Sequence, residues 1–493
     1  MAFSYIDTGD RPVFDIAEPN LAYRDPDGEV AYLIQDGVVL GGGGGSGGGG
    51  SSGGYRIGFI GESLVEHNHS ANVQRKLSTW SRGMLNWANA LNPGLCVFDV
   101  WYDPKSYPGW EPGAPGSTVY FRGANAGVGG QTSKQILDRK EFLVKNVDVD
   151  LVVISTGTNS MSGDSVADII KWRDETVDYY LKAGKTVILL PVLLRNIDSW
   201  TVASGYREKC SYVNATAQDM VKSRKNCYLF DWNTYWVDFN HPQGNALPGF
   251  TPDGIHFNTM SGYVLGKAFG EFLKTILPYT PTYNVIAPND LYHAEKNPFG
   301  NKHSNPMLTG TTGTISAPVT GVCATGFRII RSTSFGCAVE GAKEVRADGR
   351  GNYQVINFTP SGAAGSELST FSTASTDVRH DLPVGSWVRA SIEVEANKWD
   401  GWQGITMHLR DNAAAGLQVN GMESYNNDQW PTDGWKGLIT TPAFQIVDAA
   451  SALRWQVQIR VDNSKTTKGV LKIGAPELRV VEDPRKIVNY RGE

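Results

Sequence analysis

Residues 55–66 read Tyr55-Arg-Ile-Gly-Phe-Ile-Gly61-Glu62-Ser63-Leu64-Val-Glu66, an apolar run of strand length that ends in Gly-Glu-Ser and passes into a polar stretch entering a helix. Similar runs follow at Leu95–Trp101, Leu151–Ser155, Thr186–Leu190 and Cys227–Asp231. Amphipathic stretches separate them. Asp164–Lys182 puts Ile169, Ile170, Val177, Tyr180 and Leu181 on one helical face, opens on Asp164 as a cap and stops at Gly184. Met260–Leu277 behaves in the same way and ends at Pro278. Buried strands alternating with helices predict βαβ units, hence a three-layer α/β region with a mostly parallel sheet over residues 55–280.

Outward from this region the texture changes on both sides. Residues 41–54 contain only Gly and Ser. Such a run has no side chain to bury and reads as a flexible linker. It sets off an N-terminal arm, 1–40, whose Glu29–Ile34 and Val38–Leu40 predict a hairpin turning at Asp36-Gly37. Forty residues make a poor core alone, so the arm is expected to dock on something else. After Pro278, residues 281–310 are rich in Pro, Asn and His and read as a connector. From 311 to 482 the pattern alternates with period two, as in Val388-Arg-Ala-Ser-Ile-Glu-Val-Glu and Leu453-Arg-Trp-Gln-Val-Gln-Ile-Arg-Val. That pattern predicts an all-β sandwich of jelly-roll type, followed by a tail at 483–493. Trp387 and Trp455 fall inside strand runs and read as core. Trp399, Trp402, Trp430 and Trp435, flanked by Gly, Asp, Lys and Pro, read as loop residues; for Trp399 and Trp402 the choice lies between an exposed carbohydrate platform and ordinary sandwich core.

Composition narrows the function classes. The chain has 493 residues, long enough for two or three domains. With 45 basic against 50 acidic residues, nothing directs the surface as a whole toward nucleic acid or an anionic membrane. No apolar run reaches the length of a membrane span, and the start lacks the pattern of a signal peptide. The cysteines Cys96, Cys210, Cys227, Cys323 and Cys337 show no zinc spacing, which leaves a Cys323–Cys337 pair as the one disulfide to look for.

The chemistry rests on four features. A serine at the carboxyl end of a parallel strand, where a helix begins, is where α/β folds place reactive groups, although an isolated Gly-Glu-Ser is ordinarily just a helix cap. After a strand-like Thr118–Phe121 comes Asn125-Ala-Gly-Val-Gly-Gly130, a tight turn able to aim an N–H into a cleft. Leu151–Ser155 runs into Thr156-Gly-Thr-Asn159-Ser160, which brings a side-chain amide to another strand end. Asp253-Gly-Ile-His256 lets a carboxylate meet one ring nitrogen while the other faces a serine.

Together, in this order, the four resemble the SGNH hydrolases, also called GDSL-like esterases and lipases, over roughly residues 55–278. The resemblance implies a flavodoxin-like sheet and a cofactor-free, metal-free ester hydrolase. Ser63 is then the nucleophile, His256 the base and Asp253 its partner. The N–H groups of Ser63 and Gly130 and the Asn159 amide form the oxyanion hole. Two positions depart from the family pattern: Glu62 replaces the usual Asp before the serine, and Ser160 replaces the acid after the amide.

Glu62, His67, Trp110, Arg195 and Trp200 are the candidate substrate contacts, because aromatic rings stack on sugar faces while Arg reaches hydroxyls or a uronate. His67 and His69 lack the company of a metal-ligand set. Gly-, Pro- and Trp-rich loops suit an acylated polysaccharide better than a long-chain lipid. An arm, a Gly/Ser tether and a missing leader also look like a bacteriophage tail or fibre esterase, a virion or extracellular protein. Residues 1–40 would then hold phage structural proteins, and the chain would assemble as a homotrimer. A free bacterial carbohydrate esterase and a non-catalytic glycan-binding fibre on the same fold are the alternatives.

Overall fold

The computed structural model describes residues 21–24, 30–35, 38–39, 55–72, 76–102, 123–147, 149–284, 287, 290–332, 335–374, 378–379, 382–411, 418–424, 428–446 and 452–484. It divides into two compact units, residues 1–49 and 50–493. In the first, Leu21–Arg24, Val30–Gln35 and Val38–Val39 form an antiparallel three-stranded sheet, with Gln35 opposite Val38. The hairpin strands are thus as expected, while the turn at Asp36-Gly37 and the linker 41–54 lie outside the described residues.

The second unit begins with the α/β region. Its parallel sheet runs in the order Cys227–Leu229, Thr186–Leu190, Leu151–Ser155, Tyr55–Gly61, Cys96–Val97, and Asn125–Gly127 also pairs with Tyr55–Gly61. Leu151–Ser155 is buried along its whole length, which explains a run of apolar residues without alternation. Ser133–Asp138, Val166–Lys182 and Tyr206–Lys222 pack in series, and Met84–Leu91 packs on Thr259–Lys274. Val166–Lys182 starts one residue later than its acidic cap would require. Ser165, not Asp164, accepts the Asp168 amide (3.1 Å), because its hydroxyl stands at the position that reaches the third helical N–H.

The remaining strands build two sheets around one core. A nine-stranded sheet centres on Ala452–Asp462 between Ser366–Thr373 and Trp402–Asp411; an eight-stranded sheet centres on Gly469–Val481 and Trp387–Ala396. This is the expected all-β architecture, with one unanticipated feature. Lys76–Trp80 pairs in parallel with Gln418–Glu423 and carries His69–Asn72 with it into the nine-stranded sheet. The predicted strand Leu95–Trp101 divides likewise. Cys96–Val97 stays in the α/β sheet, whereas Trp101–Tyr102 pairs with Ala443 and Phe444 in the eight-stranded one.

Aromatic packing seals the junction. Trp87, fully buried on Met84–Leu91, lies 5.1 Å from Tyr263, 5.4 Å from Trp430 and 5.1 Å from Trp435, measured between ring centroids. Such packing needs close helices. A Cβ at Gly266 would stand 2.5 Å from the Met84 carbonyl oxygen, so only glycine fits there. Trp399, Trp402, Trp430 and Trp435 are all buried, which corrects their reading as exposed loop residues. Their indoles fill the space between sheets and beside Trp87, and two of them open strands. Cys323 and Cys337 are both free and buried, so the disulfide between them is not formed. Among the described residues no helix is long and apolar enough to cross a membrane.

Candidate active site

The first strand delivers Glu62 in extended geometry, and the helix Ser63–Glu66 starts on the next residue. Ser63 Oγ lies 2.9 Å from His256 Nε2, although 193 positions separate them in sequence. On the other side of the ring, His256 Nδ1 is 2.7 Å from Asp253 Oδ2. The second carboxylate oxygen, Asp253 Oδ1, accepts the backbone N–H groups of Ile255 (2.9 Å) and His256 (2.8 Å). Partial burial pulls the Asp253 carboxyl upward. The His256 ring and the two amides outweigh that pull and hold it at about 2, so it is ionised at neutral pH. A charged Asp253 fixes the ring with its N–H toward the carboxylate and its lone pair toward Ser63.

Two loops complete the site. Glu66 Oε2 accepts the Gly129 N–H (2.8 Å), which ties the glycine turn to the serine helix. A Cβ at Gly129 would lie 3.8 Å from Ser63 Cβ, so that turn abuts the nucleophile. Gly130 has φ +77, a left-handed conformation that favours glycine, and faces open space. Asn159, in a single turn of 3₁₀ helix after Leu151–Ser155, donates from Nδ2 to the Gln131 carbonyl (3.1 Å) and accepts Arg195 Nη2 at Oδ1 (2.9 Å). With its oxygen engaged by a guanidinium, the amide keeps its NH2 toward the glycine turn. Arg195 also donates to Thr158 Oγ1 at 2.8 Å, and burial lowers its pKa from the ordinary value. Its place is behind the amide, as a brace.

Of the candidate substrate contacts, Glu62 is 1% exposed and points away from the cleft, accepting Ser155 Oγ at 2.7 Å through Oε1. Burial raises its pKa against the opposing effects of Ser155, Arg195 and Arg139. The extra methylene relative to Asp carries the carboxyl onto the neighbouring strand, so Glu62 is not a substrate contact. Trp200 is 3% exposed in a cluster with Met161, Ile169 and Val192, beneath Arg195. It is a plug in the fold, which corrects its reading as a substrate contact. Trp110 lies outside the described residues. His67 does stand at the site, its ring centroid 4.6 Å from that of His256. Burial, then the charges of Arg82 and His256, lower its pKa to about 2, so it stays neutral and does not repel an imidazolium.

Several braces carry no signal in the sequence. Arg139, buried, donates to the Gly61 carbonyl (2.7 Å), the Ala126 carbonyl (2.6 Å) and Gln131 Oε1 (2.6 Å), joining two neighbouring strands to the residue after the glycine turn. Ser160 Oγ accepts the Ser133 N–H at 2.9 Å, so at the position of the missing acid a hydroxyl holds the start of the helix Ser133–Asp138.

Residues 70–261 match the model of the GDSL-like Lipase/Acylhydrolase family, and the chain carries a domain of that family. The match begins after Ser63, so the serine is located by the structure and not by the match. No curated protein matches. Among solved structures, a GDSL-like lipase from Bacteroides thetaiotaomicron is 18% identical (45% of this chain, 88% of that one, TM-score 0.33). The lipase/acylhydrolase from Enterococcus faecalis is 17% identical (46% and 100%, TM-score 0.31). A carbohydrate esterase family 3 protein from Talaromyces cellulolyticus is 16% identical (45% and 99%, TM-score 0.29).

Proposed function

We propose that this protein is a serine esterase that removes short acyl groups, acetyl above all, from a polysaccharide. The observation that carries the reading is the relay Ser63–His256–Asp253, with hydrogen-bond distances of 2.9 and 2.7 Å. In the first half-reaction His256 Nε2 takes the Ser63 proton as Oγ attacks the ester carbonyl. The new oxyanion is held by the N–H groups of Ser63 and Gly130 and the Asn159 amide, whose hydrogen bonds strengthen as charge grows on oxygen. Collapse of the intermediate breaks the ester C–O bond, and His256 returns the proton to the departing sugar hydroxyl. Water, deprotonated by the same ring, then cleaves the acyl-serine and releases the acid. Asp253 stays ionised throughout and stabilises the imidazolium.

Polar braces around the serine, and a β region packed directly on the helices that flank it, support a sugar substrate over a long apolar chain. The arm at 1–40 and its Gly/Ser tether support attachment to a phage tail or fibre, where a trimer would present the site to a host surface glycan. The test is acetate release from p-nitrophenyl acetate and from acetylated glycans. Ser63→Ala is expected to lower turnover by about 10⁵-fold or more, and acetyl esters should exceed octanoyl esters. Turnover equal in the variant would refute the role of Ser63, and an octanoyl preference would refute the glycan assignment.

A further inference from the structure

We propose that the open face of the nine-stranded sheet binds an acidic polysaccharide, a sugar chain bearing carboxylates, and feeds it toward Ser63. The inference rests on the esterase reading and adds to it the substrate class. Two adjoining depressions of about 360 and 370 Å³ lie on this face and share His408 and Gln458. Among the described residues the charged lining is mostly basic: Arg328, Arg410, Arg454 and Arg460, with Glu423 as the carboxylate. This occurs in a chain whose formal net charge is -5, so the basic character belongs to the groove and not to the surface as a whole.

Register explains the arrangement. Along Trp402–Asp411 and Ala452–Asp462, residues such as Met407, Leu409, Val457 and Ile459 fill the core, and the alternate residues between them make the groove. Arg410 lies directly opposite Arg454 across these strands. Two guanidinium groups side by side on one face offer a carboxylate paired, charge-assisted hydrogen-bond donors. The rest of the lining is largely amide and hydroxyl, with Gln456 opposite His408 and Gln458 opposite Thr406. No Trp, Tyr or Phe lines either depression among the described residues. Recognition there is by charge and hydrogen bonds, which suits uronates better than neutral sugars held by stacking.

The groove also points at the catalytic centre. Glu423, at its carboxylate end, is the cross-strand partner of Trp80. The Trp80 ring lies 6.0 Å from that of His67, which is 4.6 Å from that of His256. The strand that the α/β region lends to the sheet therefore bridges the two places, and one polymer can occupy both.

The test is affinity electrophoresis of the full chain in gels containing polygalacturonate, alginate or hyaluronate, with dextran as a neutral polymer and poly(dT) as a non-sugar polyanion. Retardation by at least one polyuronate is expected, stronger than by dextran or poly(dT). Arg410→Gln/Arg454→Gln should weaken it about tenfold, as expected for two lost charge contacts, with p-nitrophenyl acetate hydrolysis unchanged. Arg410→Lys, which keeps the charge, should retain most of the affinity. No retardation by any polyuronate, equal retardation of the double variant, or tighter binding of dextran or poly(dT) would overturn the proposal. Absence of ester hydrolysis alongside variant-sensitive polyuronate binding would sink the esterase reading and leave the groove standing.

Discussion

Glu62 has exchanged a cleft position for a buried one, and that has a thermodynamic signature. Its pKa in the folded chain is raised above the ordinary 4.5, with burial the chief cause, and Oε2 has no hydrogen-bond partner among the described residues. A carboxyl whose folded pKa is raised binds its proton more tightly in the native state. Its contribution is therefore fully present below the unfolded pKa and is lost as pH rises through the folded value. Glu62→Gln, which cannot ionise, is expected to gain stability relative to the parent as pH increases from 4 to 8. Thermal unfolding of both proteins across that range checks it, and a constant difference would contradict it. At this scale the sequence was readable where groups are near neighbours or sit at strand ends. Asp253 and His256 lie three residues apart, and Ser63 follows an unmistakable strand. The roles of Glu62, Trp200 and Arg139 depend on residues far along the chain, such as Ser155, Met161 and Gly61, and no local pattern reports those meetings.

At the scale of elements, the contact between Met84–Leu91 and Thr259–Lys274 matters most, because the second helix follows directly on His256 and the first buries Trp87 among the indoles of the β region. Asn258 caps the second helix by accepting the Ser261 amide at 3.0 Å, fixing where the His256 loop ends. Trp87→Ala should cost about 3–5 kcal/mol, as for other large-to-small changes in a core. Denaturant unfolding reads this directly, and a loss within about 0.5 kcal/mol would show that the junction is not packed as described. The helices were legible because their apolar faces recur at helical spacing. The lent strands were not: Lys76–Trp80 and Trp101–Tyr102 are short, and the partners that draw them into the β region lie more than 300 residues away.

Over the whole molecule, the division into an α/β region and a β region is correct in chain order and incomplete in space. Strands from the first complete both sheets of the second, so residues 50–493 form one compact unit. Composition identified the β region as turn-rich and aromatic; Trp387 and Trp455 are core as expected, while the neighbours of Trp399, Trp402, Trp430 and Trp435 assigned those four to loops. Burial between two sheets depends on the strand pairing and not on the flanking residues, which is why the polar neighbours of Trp399 and Trp435 misled. The outward positions that period-two alternation marks carry arginines and glutamines along these strands, and the proposed polyuronate groove rests on them. An enzyme of this build would hold its polymer on one part and cut an ester bond on the other.

The central claim is that His256 and Asp253 make Ser63 a nucleophile. Labelling of the intact chain with a fluorophosphonate, read by mass spectrometry, tests it most directly. The account predicts one adduct, mapped to Ser63, absent from Ser63→Ala and greatly slowed in His256→Ala. An unlabelled parent chain, or an adduct that persists in Ser63→Ala, would contradict it.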